Sequence, residues 1–173
     1  MPESFDDLLA GCNRTALKLE FRDQYMTDDP AYVAWKAGDL DRAVAEYAGW
    51  TSTARDAVER GIQMKRARIV SEPVSDYIAF EHAVTSPVNI AAGELIRWVS
   101  RRRVSDLALP GNDVWIFDDS VLQFILFGGD GRFMGNEVNT DPEVVKLCAS
   151  AFEAAWERGV DHDKYSVTAS PTN

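Results

Sequence analysis

Residues 114–138 read VWIFDDSVLQFILFGGDGRFMGNEV. Val114 to Phe117 and Val121 to Phe127 are runs of aromatic and branched side chains, which fit a pleated, buried surface. Asp118-Asp119-Ser120 between them has the short polar side chains of a turn. Gly128-Gly129-Asp130-Gly131 makes a second turn, and Arg132 to Val138 returns as the partner strand of a hairpin. Both faces of Val121–Phe127 are apolar except at Gln123, so this strand is expected near the centre of a sheet. Trp115, Phe117, Phe124 and Leu126 are expected to be buried on it.

Upstream, Thr15 to Arg22 alternates Leu17, Leu19 and Phe21 with Ala16, Lys18 and Glu20, the period of a half-buried strand. Asp29-Pro30 opens a brief helix through Trp35, because Asp caps free amides and Pro fits a first turn. Asp39 begins a longer helix, with Leu40, Val44, Tyr47, Ala54 and Val58 along one face and Gly61 as its stop. Gly49 and the Thr51–Thr53 run weaken its middle. Met64 to Ser71 is a second strand, ended by Glu72-Pro73. Ser75-Asp76 caps a helix carrying Tyr77, Ile78, Phe80 and Glu81, and Pro87 and Gly93 punctuate the segment after it. Leu95 to Val99 is strand-like, and Val104 to Asn112 reads as a loop.

Downstream, Thr140 and Glu143 form a capping box around Pro142. The helix it opens runs to about Arg158, with Val144, Cys148, Ala151, Phe152 and Ala155 inward. Residues 1–13 read as an acidic N-terminal arm or helix and 162–173 as a flexible tail. The order predicts a single domain over 1–173 of α/β or α+β class. Its one mixed, largely antiparallel sheet of about five to seven strands is flanked by helices.

The chain has 173 residues, 46% hydrophobic and 27% charged, enough for one well-formed core. A net charge of −10 opposes phosphate backbones and anionic lipid, so direct nucleic-acid binding and membrane binding are not expected. Cys12 and Cys148 lie far apart without CxxC spacing, and the first residues lack the basic-then-apolar order of a leader. A cytoplasmic location is the expectation.

The catalytic motifs that could be read here fail on context. The Gly-rich turn joins two strands, whereas a phosphate loop joins a strand to a helix. His162-x-Lys164 shares two residues with the phospholipase D signature, but Ala169 stands where that signature has an Asp. Two histidines and two remote cysteines build no zinc spacing, and Gly-x-Ser-x-Gly is absent. No metal and no cofactor are expected.

One constellation remains. Arg66 and Arg68 project from one face of one strand, with Glu72, Asp76, Tyr77 and Glu81 close behind, and Arg97 comes from another strand beside Trp98. Two such arginines either grip a carboxylate or phosphate, or are neutralised inside the fold by neighbouring acids. Arg101-Arg102-Arg103 is the one dense basic run, a solvated loop or a dock for an acidic partner.

The blocks RARIVSEPVSDYIAFE, NIAAGELIRWVSR and DVWIFDDSVLQFILFGGDGRFMG resemble an uncharacterised actinobacterial family, from Phe21–Tyr25 through the final helix. Val114 stands where that family usually has Phe. The resemblance transfers no catalytic residue. It implies genes beside helix-turn-helix regulators, and hence an accessory role with such a regulator or another protein as partner. The strand order is also similar to one phospholipase D-like half without its active-site motif, and fold likeness alone does not assign function. The expectation is a non-enzymatic accessory or regulatory protein that binds a protein partner or small ligand. The alternative is a phosphoester-directed or other hydrolase-like enzyme using Arg66, Arg68, Asp118 or Asp119.

Overall fold

Three strands lie side by side and parallel at the middle of the fold: β1 (Thr15–Glu20), β2 (Gln63–Val70) and β3 (Leu95–Ser100). Parallel neighbours need crossovers, and helices supply them on one face. Between β1 and β2 run α2 (Pro30–Lys36), α3 (Leu40–Ala45) and α4 (Ala48–Glu59). Between β2 and β3 runs α5 (Asp76–Thr85), extended by a π-helical turn, Ser86–Ile90. The structure, a computed structural model, describes residues 3–167.

The hairpin strands β4 (Asp113–Phe117), β5 (Val121–Phe127) and β6 (Phe133–Asn139) extend the sheet antiparallel from β1. A short β7 (Val160–Asp161) pairs antiparallel with β3 at the other edge. The result is one mixed seven-stranded sheet in the order β6-β5-β4-β1-β2-β3-β7.

Alternation along the strands sorts side chains onto two faces. One face carries Leu17, Leu19, Ala67, Ile69, Val99, Val114, Ile116 and Leu122. It packs on α6 (Pro142–Glu157) through Val145, Cys148, Ala151, Phe152 and Ala155. The other carries Ala16, Met64, Trp115 and Phe117, covered by Leu8 and Leu9 of α1 (Phe5–Gly11) and by Ala54 and Ala57 of α4.

The structure departs from the sequence reading at several places. β1 is buried on both faces, because helices cover the side on which Lys18 and Glu20 stand. The expected long helix breaks at Glu46–Tyr47 into α3 and α4, earlier than the Gly49–Thr53 weakness. The last helix is capped by Asp141, whose side chain accepts from the Glu143 amide, in place of Thr140. β5 is second from an edge, so Phe124 and Leu126 are only half-buried while Trp115 and Phe117 are buried.

At the C-terminal end, the expected tail begins with built structure. His162 Nδ1 accepts from Trp98 Nε1 at 3.0 Å, and Tyr165 stacks on Trp98 with ring centroids 5.4 Å apart. Positions 168–173 of the expected tail lie outside the described residues.

The Asp118-Asp119-Ser120 turn holds its first two residues at positive φ, 52° and 53°, as primed hairpin turns do. The Asp118 carboxylate accepts the amides of Asn13, Arg14 and Thr15 at 2.7, 2.8 and 2.9 Å. Those bonds outweigh burial and hold its carboxyl down at about 2. Its role is to pin the start of β1 to the β4–β5 turn.

Two phenylalanines of the core between the sheet and α6, Phe152 on α6 and Phe124 on β5, should respond differently to truncation. Phe152→Ala, at a wholly buried site, is expected to cost about 3–5 kcal/mol. Phe124→Ala should cost clearly less in the same urea titration, and equal losses would mean that β5 is better covered than its half-exposure indicates.

Candidate functional site

The parallel register sets Lys18 opposite Arg66 and Glu20 opposite Arg68. The antiparallel register of β4 sets Trp115 on the other side of Lys18. One sheet face therefore carries three cations in two adjacent cross-strand rows. All three are buried, at 5%, 8% and 6% exposure for Lys18, Arg66 and Arg68. Burying charge is tolerated only with compensation.

The arginines are compensated. Arg66 Nη1 donates to Glu20 Oε1 at 2.7 Å and Arg68 Nε to Glu20 Oε2 at 3.0 Å, so one carboxylate bridges both guanidiniums. Arg66 Nε donates to Glu94 Oε2 at 3.1 Å, and Arg68 Nη1 donates to Thr85 Oγ1. Glu94 Oε1 in turn accepts from Asn89 Nδ2 at 2.8 Å and Trp50 Nε1 at 2.6 Å. The Arg66 guanidinium lies 5.3 Å from the ring centroids of both Trp50 and Trp115. Burial would raise the Glu20 carboxyl, but Arg66, Arg68 and Lys18 outweigh it and hold the group at about 2.

Above this network lies a pocket of about 370 Å³ between the sheet face and the helices, within the usual size range of small-molecule sites. Arg66, Arg68, Tyr77 and Glu81 line it, together with Lys18, Glu20, Asn89 and Asp113. Tyr25, Tyr47, Trp50, Phe80, Trp115 and Phe127 make its aromatic walls. Asp113 is occupied: it accepts from the Phe21 amide at 3.1 Å and from the Tyr25 hydroxyl. Asp29 is occupied by the Ala31 amide at 2.7 Å and the Tyr47 hydroxyl at 3.3 Å.

Two wall groups are not so occupied. The Lys18 ammonium has no hydrogen bond or ion pair among the described residues and sits 5.1 Å from the Trp115 ring centroid. Burial pushes it down to about 8, against the opposing pull of Glu20. The Glu81 carboxylate lies 4.0 Å from Arg68 Nε and makes no hydrogen bond among the described residues. Burial pushes it up to about 8, and Arg68 offsets only part of that.

The remaining sequence candidates lie elsewhere. Glu72 is exposed in the turn after β2, and Asp76 pairs with Lys36 on the surface at 2.8 Å. Arg97 points to the α6 side, bonded to Asp161 at 2.8 Å and lying 4.6 Å from the Trp156 ring centroid. Arg101 is tied to the Phe21 carbonyl and to Ser71 Oγ. Sequence reasoning missed Lys18, Glu20, Glu94 and Asp113. The one available signal was the Lys-x-Glu of β1 beside the Arg-x-Arg of β2, two strings that match only when the strands pair parallel and in register.

Among the described residues, no three His, Cys, Asp or Glu side chains are placed to hold a metal ion, and no helix is long and apolar enough to cross a membrane. A family model, described as a domain of unknown function (DUF6879), matches residues 3–167. The chain belongs to that family. No curated protein matches the sequence. The matched span covers all seven strands and every wall of the pocket, so the pocket belongs to the family's domain and not to an appendage.

Glu20 is the hinge of the charge network, and Glu20→Gln leaves two buried guanidiniums short of a counter-charge. The expected cost is about 3–5 kcal/mol in urea denaturation. A loss below about 1 kcal/mol would mean that Arg66 and Arg68 find water or Glu81 instead.

Proposed function

We propose that this domain is a non-enzymatic accessory protein whose pocket binds a compact organic molecule, and that the loaded state is read by a protein partner. The observation that carries the reading is Lys18: a charge buried to 5% exposure, lining a pocket, whose ammonium has no hydrogen-bond or ion-pair partner among the described residues. A fold keeps an uncompensated buried charge at a cost in stability, and binding sites are where such costs concentrate. The aromatic walls supply the apolar contact that a small ligand needs, and few polar groups remain to orient it.

The phosphoester-directed alternative draws less support from the geometry. Asp118 adjoins the first residue of β1, whereas Glu20, the partner of Arg68, is its last. The whole length of that strand, roughly 15–20 Å at ~3.3 Å per residue, separates the acids from the arginines. The arginines themselves are already spoken for by Glu20 and Glu94. The partner favoured on the resemblance of the sequence blocks is a helix-turn-helix regulator, which would supply the DNA contact that this acidic chain opposes.

The test pairs stability with ligand response. Lys18→Met removes the unpaired charge and keeps the volume, so it should raise the unfolding free energy. Wild-type protein screened against a library of small metabolites should show compounds that raise Tm by mass action, and Lys18→Met should not respond to them. A destabilised Lys18→Met variant, or a wild-type protein that no compound shifts, would contradict the reading.

A further inference from the structure

The pocket's groups are unequal in what they leave open, and that inequality selects a ligand charge. Each carboxylate facing Lys18 is already committed. Glu20 on β1 and Glu94 just before β3 bind the arginines of β2, Asp113 on β4 binds Tyr25 and the Phe21 amide, and Asp29 caps α2. Glu81 on α5 is the one pocket acid whose carboxylate lacks a hydrogen bond among the described residues, and it stands beside a cation, Arg68. The uncommitted cation is Lys18.

We infer that the pocket takes a planar aromatic monocarboxylate, its ring against Trp115 and the tyrosine wall and its carboxylate on the Lys18 ammonium. The inference rests on the pocket being a ligand site, as proposed above. A single negative charge matches the single unpaired ammonium. A cationic ligand would meet Lys18, and Glu81, the one pocket acid without a hydrogen bond among the described residues, already stands beside Arg68 at 4.0 Å. A dianion such as a phosphomonoester would bring a second charge against Glu20 and Asp113 with no cation left to balance it. Flat rings fit because the walls are themselves rings, with Trp50 and Trp115 at 5.8 Å and Tyr25 and Phe127 at 5.2 Å between centroids.

Glu81 adds a proton-dependent filter. Below about 8 its carboxyl is neutral and able to donate to a ligand oxygen, and Lys18 is charged up to the same region. Above it, Lys18 loses its charge and Glu81 gains one, so both changes disfavour an anion. Arg66 and Arg68, the other cations facing the pocket, are held by Glu20 and Glu94.

The experiment uses benzoate and indole-3-acetate, each against its amide and amine counterparts (benzamide and benzylamine; indole-3-acetamide and tryptamine), with phenyl phosphate as the dianion. Binding is read by calorimetry and by the fluorescence of the wall tryptophans. At least one carboxylate should bind more tightly than its amide, its amine or the phosphate, and its affinity should fall from pH 7 to pH 9. Lys18→Met should weaken it roughly ten- to a hundredfold, the worth of one charged hydrogen bond, and Lys18→Arg should keep most of it. Preference for an amine, an amide or the phosphate would overturn the ligand class while leaving the pocket a binding site. Carboxylate binding indifferent to Lys18→Met or to pH would overturn the assignment of Lys18. No binding by any probe at millimolar concentration would overturn both this inference and the ligand-site reading beneath it.

Discussion

The carboxylate of Glu20 accepts from Arg66 at 2.7 Å and from Arg68 at 3.0 Å, and the buried face of the sheet depends on that shared bond. Two guanidiniums stacked two residues apart on one strand repel each other, and away from water that repulsion is unscreened. Glu20 can serve both only because β1 and β2 run parallel with Glu20 opposite Arg68. A slip of one residue would turn these charges toward the apolar underside of α6. The ion pair therefore contributes more to register than its modest net energy would indicate. Glu94 closes the other side, held by Asn89 and Trp50, so the approach of α4 and the π-helical turn to the sheet is fixed by the same network.

Once the arginines are neutralised, the fold has room for a pocket. Its floor is charged but balanced, its walls are aromatic, and Lys18 is the residue left over. Such a pocket is neither a solvated groove nor a closed core. The helices α2, α4 and α5 keep water scarce enough to push Lys18 down to about 8 and Glu81 up to about 8. Groups displaced toward each other from opposite ends of the pH scale are what makes this pocket a candidate site. The family match spans this whole arrangement, so the domain's members are the natural place to ask whether the pocket is their common feature.

Much of the fold was legible from local pattern. The hairpin strands of residues 114–138 and their two turns declare themselves by β-branched and aromatic runs and by Asp-Asp and Gly-Gly. The caps at Asp29, Asp39 and Ser75 mark three helix starts. What was not legible is anything set by tertiary layering. Lys18 and Glu20 alternate with leucines as a solvent face does, and only the helices above show that the face is interior. For the site, Arg66 and Arg68 stood out because two like charges on one strand need an explanation. Their true partners were hidden because Glu20 and Glu94 lie 46 and 28 residues from Arg66 along the chain. Asp76 and Glu72, close in sequence, point away to the surface because the turn after β2 and the first turn of α5 sit at the rim.

The central claim is that the Lys18 ammonium is buried without a counter-charge while its two arginine neighbours are satisfied. Selective ¹⁵N or ¹³C labelling of lysine and an NMR titration of the Lys18 side chain in ligand-free protein measure this directly. A buried, unpaired ammonium should titrate at about 8, well apart from the other lysines. Titration at or above the ordinary lysine value of 10.5 would contradict it, because the charge would then be either solvated or already paired.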